Sequence, residues 1–323
     1  MKKEAGIFIL LVVLSAYVSI KNPLFLSATN LQNMGRLIGA FGIFSLGLSL
    51  IIITSGIELS VGSMMALLGV VMSMLLTEKH WPVAVTVIAC LALTMGLALL
   101  HGILITRMKI QPFIVTLCGL LFYRGLARYI TEDQTKGFGN AEGFESLQFL
   151  ANGKLWGLPM PFVLLLIIAA IMWVFLHRSI YGRYLFATGR NEDAARYSGI
   201  NTKLIITMAY VIAGLLTGIS GIIFAFYTNS VSPASHGNFY ELYGIAAAVL
   251  GGCSLRGGEG TVIGVLIGTA LLQVLQNLVN LLGIDSSLNF AVMGAVILLG
   301  VLADQFFTER RNRKQVIALR EAG

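Results

Sequence analysis

Two groups of polar residues interrupt long apolar stretches of this chain and could carry chemistry. The first is Glu58 with Ser60, flanked by Gly56 and Gly62, which allow the backbone to leave helical geometry. Ser60 can cap the helix that follows, and the positive end of that helix suits the carboxylate of Glu58. Two interpretations stay open: a tight, capped turn at the end of a helix, and a broken helix whose ends face a polar cavity.

The second group is a set of four amides within one apolar stretch: Gln273, Gln276, Asn277 and Asn280. Their spacing places them on one face of a helix. Amides exposed to an apolar medium are costly, so this face is expected to meet protein or water. Hydrogen bonding between helices or subunits is one interpretation, and the lining of a path for a polar solute is the other.

The sequence offers little support for phosphate binding, metal binding or catalysis. The glycine-rich stretch Gly257–Gly260 lacks the lysine of a phosphate-binding loop, and its Glu259 would repel phosphate. The cysteines and histidines show no spacing typical of a metal site, and no nucleophile is paired with a base. We therefore predict no catalytic residue, cofactor or metal, and a structural or surface role for the scattered histidines, which are His80, His101, His177 and His236.

The composition identifies the elements that must position these residues. The set AVILMFWYC makes up 57% of the 323 residues and charged residues only 11%, so a soluble core could not hide the apolar side chains. This argues against a soluble enzyme, a disordered chain and a nucleic-acid-binding protein. Ten apolar runs are each read as a membrane helix, which predicts an all-α polytopic membrane protein. They lie near 6–20, 35–54, 59–77, 82–105, 112–130, 160–177, 204–226, 240–253, 260–282 and 287–306.

The distribution of basic residues predicts the orientation. Most of the 22 Lys and Arg residues fall in segments that lie on one side if the runs alternate, which places both termini in the cytoplasm. An acidic, glycine-rich segment, 131–159, is then outside, and a basic segment, 178–203, is inside, as is the basic tail 307–323. Arg124 and Arg128, near the outer end of one run, could snorkel to headgroups, pair with segment 131–159 or meet a partner.

Three segments carry a resemblance to a known family. Residues 52–63, residues 189–200 and residues 240–260 are similar, in this order, to the signatures of the ribose-type monosaccharide permeases of bacterial ABC importers. The similarity runs over nearly the whole chain and is weakest in 131–159. The resemblance implies one permease domain over 1–323 in the cytoplasmic (inner) membrane of a bacterium, paired with a second permease subunit that is a copy or a paralogue. It also implies separate ATPase subunits, so that this chain is not itself an enzyme, and a soluble solute-binding protein outside the membrane.

The resemblance gives the inner segment a role as the element seated in the ATPase. A short amphipathic helix is expected between Gly189, which would supply the turn into it, and Gly199, which would end it. Without the resemblance, a solvated basic loop would be the simpler interpretation. The residues assigned to coupling are Gly189, Arg190, Asn191, Glu192, Asp193, Ala194, Ala195, Arg196 and Gly199.

Departures from the family pattern leave the solute open. Such permeases often carry Asp at the positions of Glu58 and Tyr243, and a Gln pair at the position of Asn289-Phe290. A monosaccharide such as ribose is the leading expectation, although related permeases serve furanones and nucleosides. The candidate path residues are Glu58, Ser60, Gln273, Gln276, Asn277, Asn280 and Asn289. The alternative function is a proton-coupled secondary transporter of a small polar solute, in which Glu58 would be the coupling acid.

Overall fold

The computed structural model describes residues 3–139 and 143–283, together with the isolated positions 288, 291, 294, 295 and 298. Within these residues the chain is almost entirely helical, as predicted. The helices are α1 (Lys3–Lys21), α2 (Ala28–Ile53), α3 (Val61–Ser73), α4 (Val83–Arg107), α5 (Pro112–Thr131), α6 (Glu145–Asn152), α7 (Met160–Arg178), α8 (Ile180–Arg190), α9 (Glu192–Tyr197), α10 (Thr202–Thr228), α11 (Tyr240–Leu250) and α12 (Val262–Leu281).

Short elements complete the described part of the chain. A 3₁₀ turn, Pro23–Leu26, precedes α2, and a π-helical turn, Met74–Glu78, extends α3. The strands are β1 (Lys136–Gly137), β2 (Lys154–Leu155), β3 (Leu158–Pro159) and β4 (Ser230–Val231). β1 pairs antiparallel with β4, and β2 pairs antiparallel with β3. The pairing of β1 with β4 joins the residues that follow α5 to those that follow α10, and the pairing of β2 with β3 forms a hairpin before α7.

Eight of the described helices are long and apolar enough to cross a bilayer: α1, α2, α3 with its extension, α4, α5, α7, α10 and α12. They correspond to eight of the ten predicted runs. Of the other two runs, 240–253 forms only the 11-residue helix α11. The last run, 287–306, is described at isolated positions only, and the tail 307–323 lies outside the described residues.

The core lies around α2 and α10, whose side chains are mostly buried. Small residues allow the helices to approach closely, as is typical in membranes, where packing rather than hydrophobicity holds helices together. A Cβ on Gly47 would press on the backbone of Ala213, and one on Gly214 would meet Thr94 and Ala98. α12 packs equally closely on the end of α11, where a Cβ on Gly264 would overlap the carbonyl oxygen of Gly251.

Candidate functional site: a helix break joined to the inner surface

The chain between α2 and α3 is not helical. It turns at Ser55, whose φ is +63°, and then runs extended to Ser60 at the start of α3. The prediction that the Ser60 hydroxyl caps α3 is wrong, because that hydroxyl makes no capping bond. It donates instead to Oε1 of Glu58 at 2.6 Å, and the Ser60 amide donates to the same oxygen at 2.7 Å. Glu58 therefore holds the residue that precedes α3 through two hydrogen bonds, each strengthened by the charge of a carboxylate.

Glu58 also begins a chain of buried side chains that crosses three elements. Its Oε2 lies 2.8 Å from Nδ1 of His101 on α4, and Nε2 of His101 lies 2.8 Å from the hydroxyl of Tyr123 on α5. All three residues are buried. His101 is therefore a buried structural residue with two side-chain partners. Since a buried polar group without a partner is costly, this chain ties the start of α3 to α4 and α5.

A second carboxylate holds the first turn of α3 from the opposite side. Glu241, in the first turn of α11, is buried and accepts a hydrogen bond from the amide of Gly62. A Cβ on Gly62 would overlap the carbonyl oxygen of Gly237, just before α11. The amino-terminal ends of α3 and α11 therefore meet, and two buried carboxylates, Glu58 and Glu241, lie at this meeting point.

The two arginines of α5 have different surroundings. Arg124 donates to the carbonyl oxygens of Pro233 at 3.0 Å and His236 at 2.7 Å, in the segment before α11. Arg128 forms a bidentate pair with Asp133 at 2.6 and 2.8 Å, so for this residue the structure shows the pairing with segment 131–159, one of the three predicted alternatives. Hydrogen bonding to Arg128 lowers the pKa of the Asp133 carboxyl.

The break is joined directly to the inner segment and to the glycine-rich turn. The Ser55 hydroxyl lies 3.2 Å from the carbonyl oxygen of Gly189 and 2.9 Å from that of Arg256. The amide of Gly258 donates to the carbonyl oxygen of Ile53 at 2.8 Å. The three segments that carry the family resemblance, distant in sequence, therefore meet at one point, which we call the junction.

The inner segment contains two helices rather than one. Asn191, not Gly189, forms the turn between α8 and α9, and its side chain caps α9 by accepting from the Ala194 amide at 2.9 Å. The predicted role of Gly189 as a turn is wrong. Gly189 lies in the last turn of α8, where a Cβ would overlap the carbonyl oxygen of Ile53. Close packing on the break thus explains this glycine.

The remaining residues assigned to coupling form α9 and its end. Glu192 accepts from the hydroxyl of Thr202 at 3.0 Å, which ties α9 to α10. Arg196 pairs with Asp193 at 2.7 Å on the exposed face. Gly199 has a φ of +85° and ends the segment, as predicted. Arg190 is exposed at the end of α8, and Ala194 is exposed in the first turn of α9. Ala195 is buried.

The amides of α12 are not part of the junction. Asn277 exchanges two hydrogen bonds with Asn30 of α2, at 2.7 and 3.0 Å, and Gln276 bonds the side chain of Tyr243 on α11. Gln273 is buried and Asn280 is exposed. Hydrogen bonding between helices therefore accounts for at least Asn277 and Gln276. The last candidate of this group, Asn289, lies outside the described residues.

The fold and the junction define a class of protein: a polytopic membrane protein in which a partly buried, non-helical connection between two long apolar helices contacts the inner segment. A family model described as branched-chain amino acid transport system / permease component matches residues 30–301, and the chain belongs to this permease family. It is accordingly a multi-pass protein of the bacterial inner membrane.

Individual relatives match over nearly their whole length. The chain is 38% identical to the ribose import permease protein RbsC of Bacillus subtilis (strain 168), over 93% of this chain and 91% of that protein. It is 38% identical to RbsC of Escherichia coli (strain K12), over 97% and 94%. Its identity to the galactose/methyl galactoside import permease protein MglC of Escherichia coli (strain K12) is 30%, over 96% of each chain. No solved structure matches the chain.

Proposed function

We propose that this chain is the membrane-spanning permease subunit of an ABC importer for a monosaccharide, with ribose as the first candidate. Its relatives are named for the import of ribose and of galactose or methyl galactoside. The observation that carries the proposal is the junction, because it connects an exposed pair of helices, α8 and α9, to a helix break in the membrane. ATP hydrolysis belongs to separate subunits in this proposal.

The proposed coupling works through the position of α8 and α9. The ATPase subunits bind the exposed face of α9, which carries Asp193 and Arg196. Closure of the ATPase dimer moves α8, and the bonds of Ser55 to Gly189 and Arg256 transmit this movement to the start of α3. Differential binding of the two ATPase states then shifts the permease between inward-open and outward-open populations.

Two further partners complete the proposed importer. A second permease subunit, either a copy or a paralogue, shares the membrane path. A soluble solute-binding protein delivers the sugar on the side of segment 131–159, which presents an exposed hairpin of β2 and β3. Both partners rest on the family, and the acidic outer segment and basic inner segment are consistent with the orientation that they require.

Uptake of labelled D-ribose, D-allose and D-galactose by proteoliposomes that contain the assembled complex tests the proposal. Uptake should require ATP and the loaded binding protein, and it should persist when an uncoupler collapses the proton gradient. Uptake that stops with the uncoupler and ignores ATP would establish the proton-coupled alternative. A hydrolysis-deficient ATPase subunit is the matched control, because it leaves the permease unchanged.

A further inference from the structure

The segment between β4 and α11, residues 232–239, lies at the depth of the bilayer centre. Helix α11 has 11 residues, which corresponds to a length of about 16 Å, or about half of the hydrocarbon core. Its carboxyl end leads into the turn whose Gly258 bonds Ile53, the last residue of α2. Its amino end therefore reaches only the middle of the membrane, and residues 232–239 enter from the other side to meet it.

The contact with α5 gives the same depth independently. Arg124 donates to the carbonyl oxygens of Pro233 and His236. It lies in the thirteenth position of α5 (Pro112–Thr131), about 18 Å from the start of that helix. The other end of α5 is seven residues, or about 11 Å, away. Both measures therefore place the segment inside the hydrocarbon core.

The segment is irregular and partly exposed. Ala234, Ser235 and Asn238 are exposed, and Phe239 is 48% exposed. Irregular backbone at this depth is not stable against lipid, because lipid offers no hydrogen bonds; it occurs where it is buried in protein or lines a water-filled cavity. This face of the molecule is consequently not a lipid face.

The side chains of the segment suit a neutral, polyhydroxylated ring. Phe239 has a φ of +65°, a costly backbone conformation for a bulky residue, of the kind found at ligand sites. Next to it, the amide of Asn238 can donate to one hydroxyl and accept from another. Buried beside them, Nε2 of His236 has no hydrogen-bond partner among the described residues. The charge of Arg124 is directed at backbone carbonyls and at Glu241, so this arginine is not a free cation for an anionic solute.

We propose that residues 232–239 form a sugar-contact site at mid-membrane, in which the ring of Phe239 stacks on the apolar face of the monosaccharide and Asn238 bonds its hydroxyls. This proposal rests on the proposed function for the class of solute. The site lies beside the amino ends of α3 and α11, so a movement of the helix break changes its surroundings. It adds residues that the sequence analysis did not identify.

Thiol labelling tests whether the site is in water. Cys90, Cys118 and Cys253 are first replaced by Ala, and Asn238→Cys is introduced; Ile171→Cys, on the 62% exposed face of α7, is the matched control. A membrane-impermeant thiol reagent is supplied on both sides of proteoliposomes that contain the complex. We expect Cys at 238 to react at least tenfold faster than Cys at 171, and millimolar D-ribose, D-allose or D-galactose to slow it at least threefold.

Transport kinetics test the role of the ring. Phe239→Leu should raise KM for uptake at least fivefold with a smaller change in kcat, and Phe239→Tyr should restore it. Phe122→Leu, on the exposed face of α5, is the control and should leave KM unchanged.

Unreactive Cys at 238 would overturn the site, because the site requires this position to be in water. Crosslinking of this Cys to a second copy would then assign the face to a permease dimer. Reactivity that none of the three sugars slows, with unchanged KM in Phe239→Leu, would overturn the sugar contact. Failure of the proposed function is recognised separately, because the parent chain would then show no ATP-driven uptake of any of these sugars.

Discussion

At the scale of single residues, the carboxylate of Glu58 is the centre of the break. It accepts hydrogen bonds from the amide and the hydroxyl of Ser60, and it lies 2.8 Å from His101. A fixed negative charge at the start of α3 is also favoured by the helix dipole. Every donor around Glu58 is buried, so a neutral replacement must leave one of them poorly satisfied.

We therefore expect Glu58→Asp to keep substantial uptake, because it keeps the charge at the start of α3. Glu58→Gln should lower the uptake rate severalfold, because its amide nitrogen has to face donors at a similar volume. The measurement is the uptake rate per membrane-inserted complex across a range of pH. If the Gln variant matched the parent chain at every pH, Glu58 would not act as an electrostatic anchor.

The cluster of Glu58, His101 and Tyr123 was only partly predictable from the sequence. Glu58 was identified because a carboxylate next to glycines interrupts an apolar stretch. His101 and Tyr123 were missed, because their partners are 43 and 22 residues away and no local spacing connects them. The signal that could have found His101 is its type alone: an ionisable residue within a membrane helix is costly and needs a partner.

At the scale of elements, the packing of α8 on the break depends on the absence of one side chain. Gly189→Ala would place a methyl group against the carbonyl oxygen of Ile53. We expect this variant to lose most ATP-driven uptake and to lower the free energy of unfolding by about 1–3 kcal/mol. Gly96→Ala on α4 is the control, because its Cβ would meet nothing within 4 Å. Thermal unfolding in detergent, with uptake, checks both, and equal behaviour of the two variants would contradict the junction.

Helix α9 offers a second test of coupling. Ala195 is buried, and its amide donates to the carbonyl oxygen of Asn191 at 3.0 Å. Ala195→Pro removes this bond and costs about 3 kcal/mol locally, so we expect normal membrane levels, little uptake and uncoupled ATP hydrolysis. The measurement compares uptake with ATPase stimulation in the same complex.

The control for this variant is Ala195→Ser, which changes the same small side chain but keeps the backbone amide and its bond to Asn191. We expect this variant to keep uptake close to that of the parent chain. Wild-type uptake by Ala195→Pro would mean that α9 is a solvated segment and that force enters elsewhere. The connection between α4 and α5, which carries Arg107 and Lys109, would then be the next segment to test.

The elements themselves were predictable to different degrees. Apolar runs identified eight long helices, since a run of about 20 apolar residues in lipid has few alternatives. Helix α11 was predicted as a crossing but is half as long, because its amino end is set by contacts with Gly62 and Arg124 rather than by its own apolar length. Gly189 likewise packs on Ile53 and lies inside α8, although the sequence around it predicted a turn.

At the scale of the whole molecule, the contacts of the junction form one connected route, which the amides of α12 do not join. The end of α8, which leads into the exposed helix α9, contacts the break at Ser55 and Ile53. The break leads to the amino ends of α3 and α11, which meet at Gly62. This route can transmit ATP-driven movement only if α8 and α9 face the cytoplasm, where ATP is present. The orientation predicted from the basic residues is therefore the condition on which the coupling proposal depends.

Two exposed aromatic residues provide a test of this orientation. Trp156, on the hairpin between β2 and β3, is 94% exposed, and Tyr197, at the end of α9, is 85% exposed. With the three native cysteines replaced by Ala and the ATPase subunits absent, Trp156→Cys should react with an impermeant thiol reagent in intact spheroplasts. Tyr197→Cys should react only in inverted vesicles, because the rule that basic segments stay in the cytoplasm places it inside. The opposite labelling pattern would put α8 and α9 outside the cell, out of reach of any ATPase.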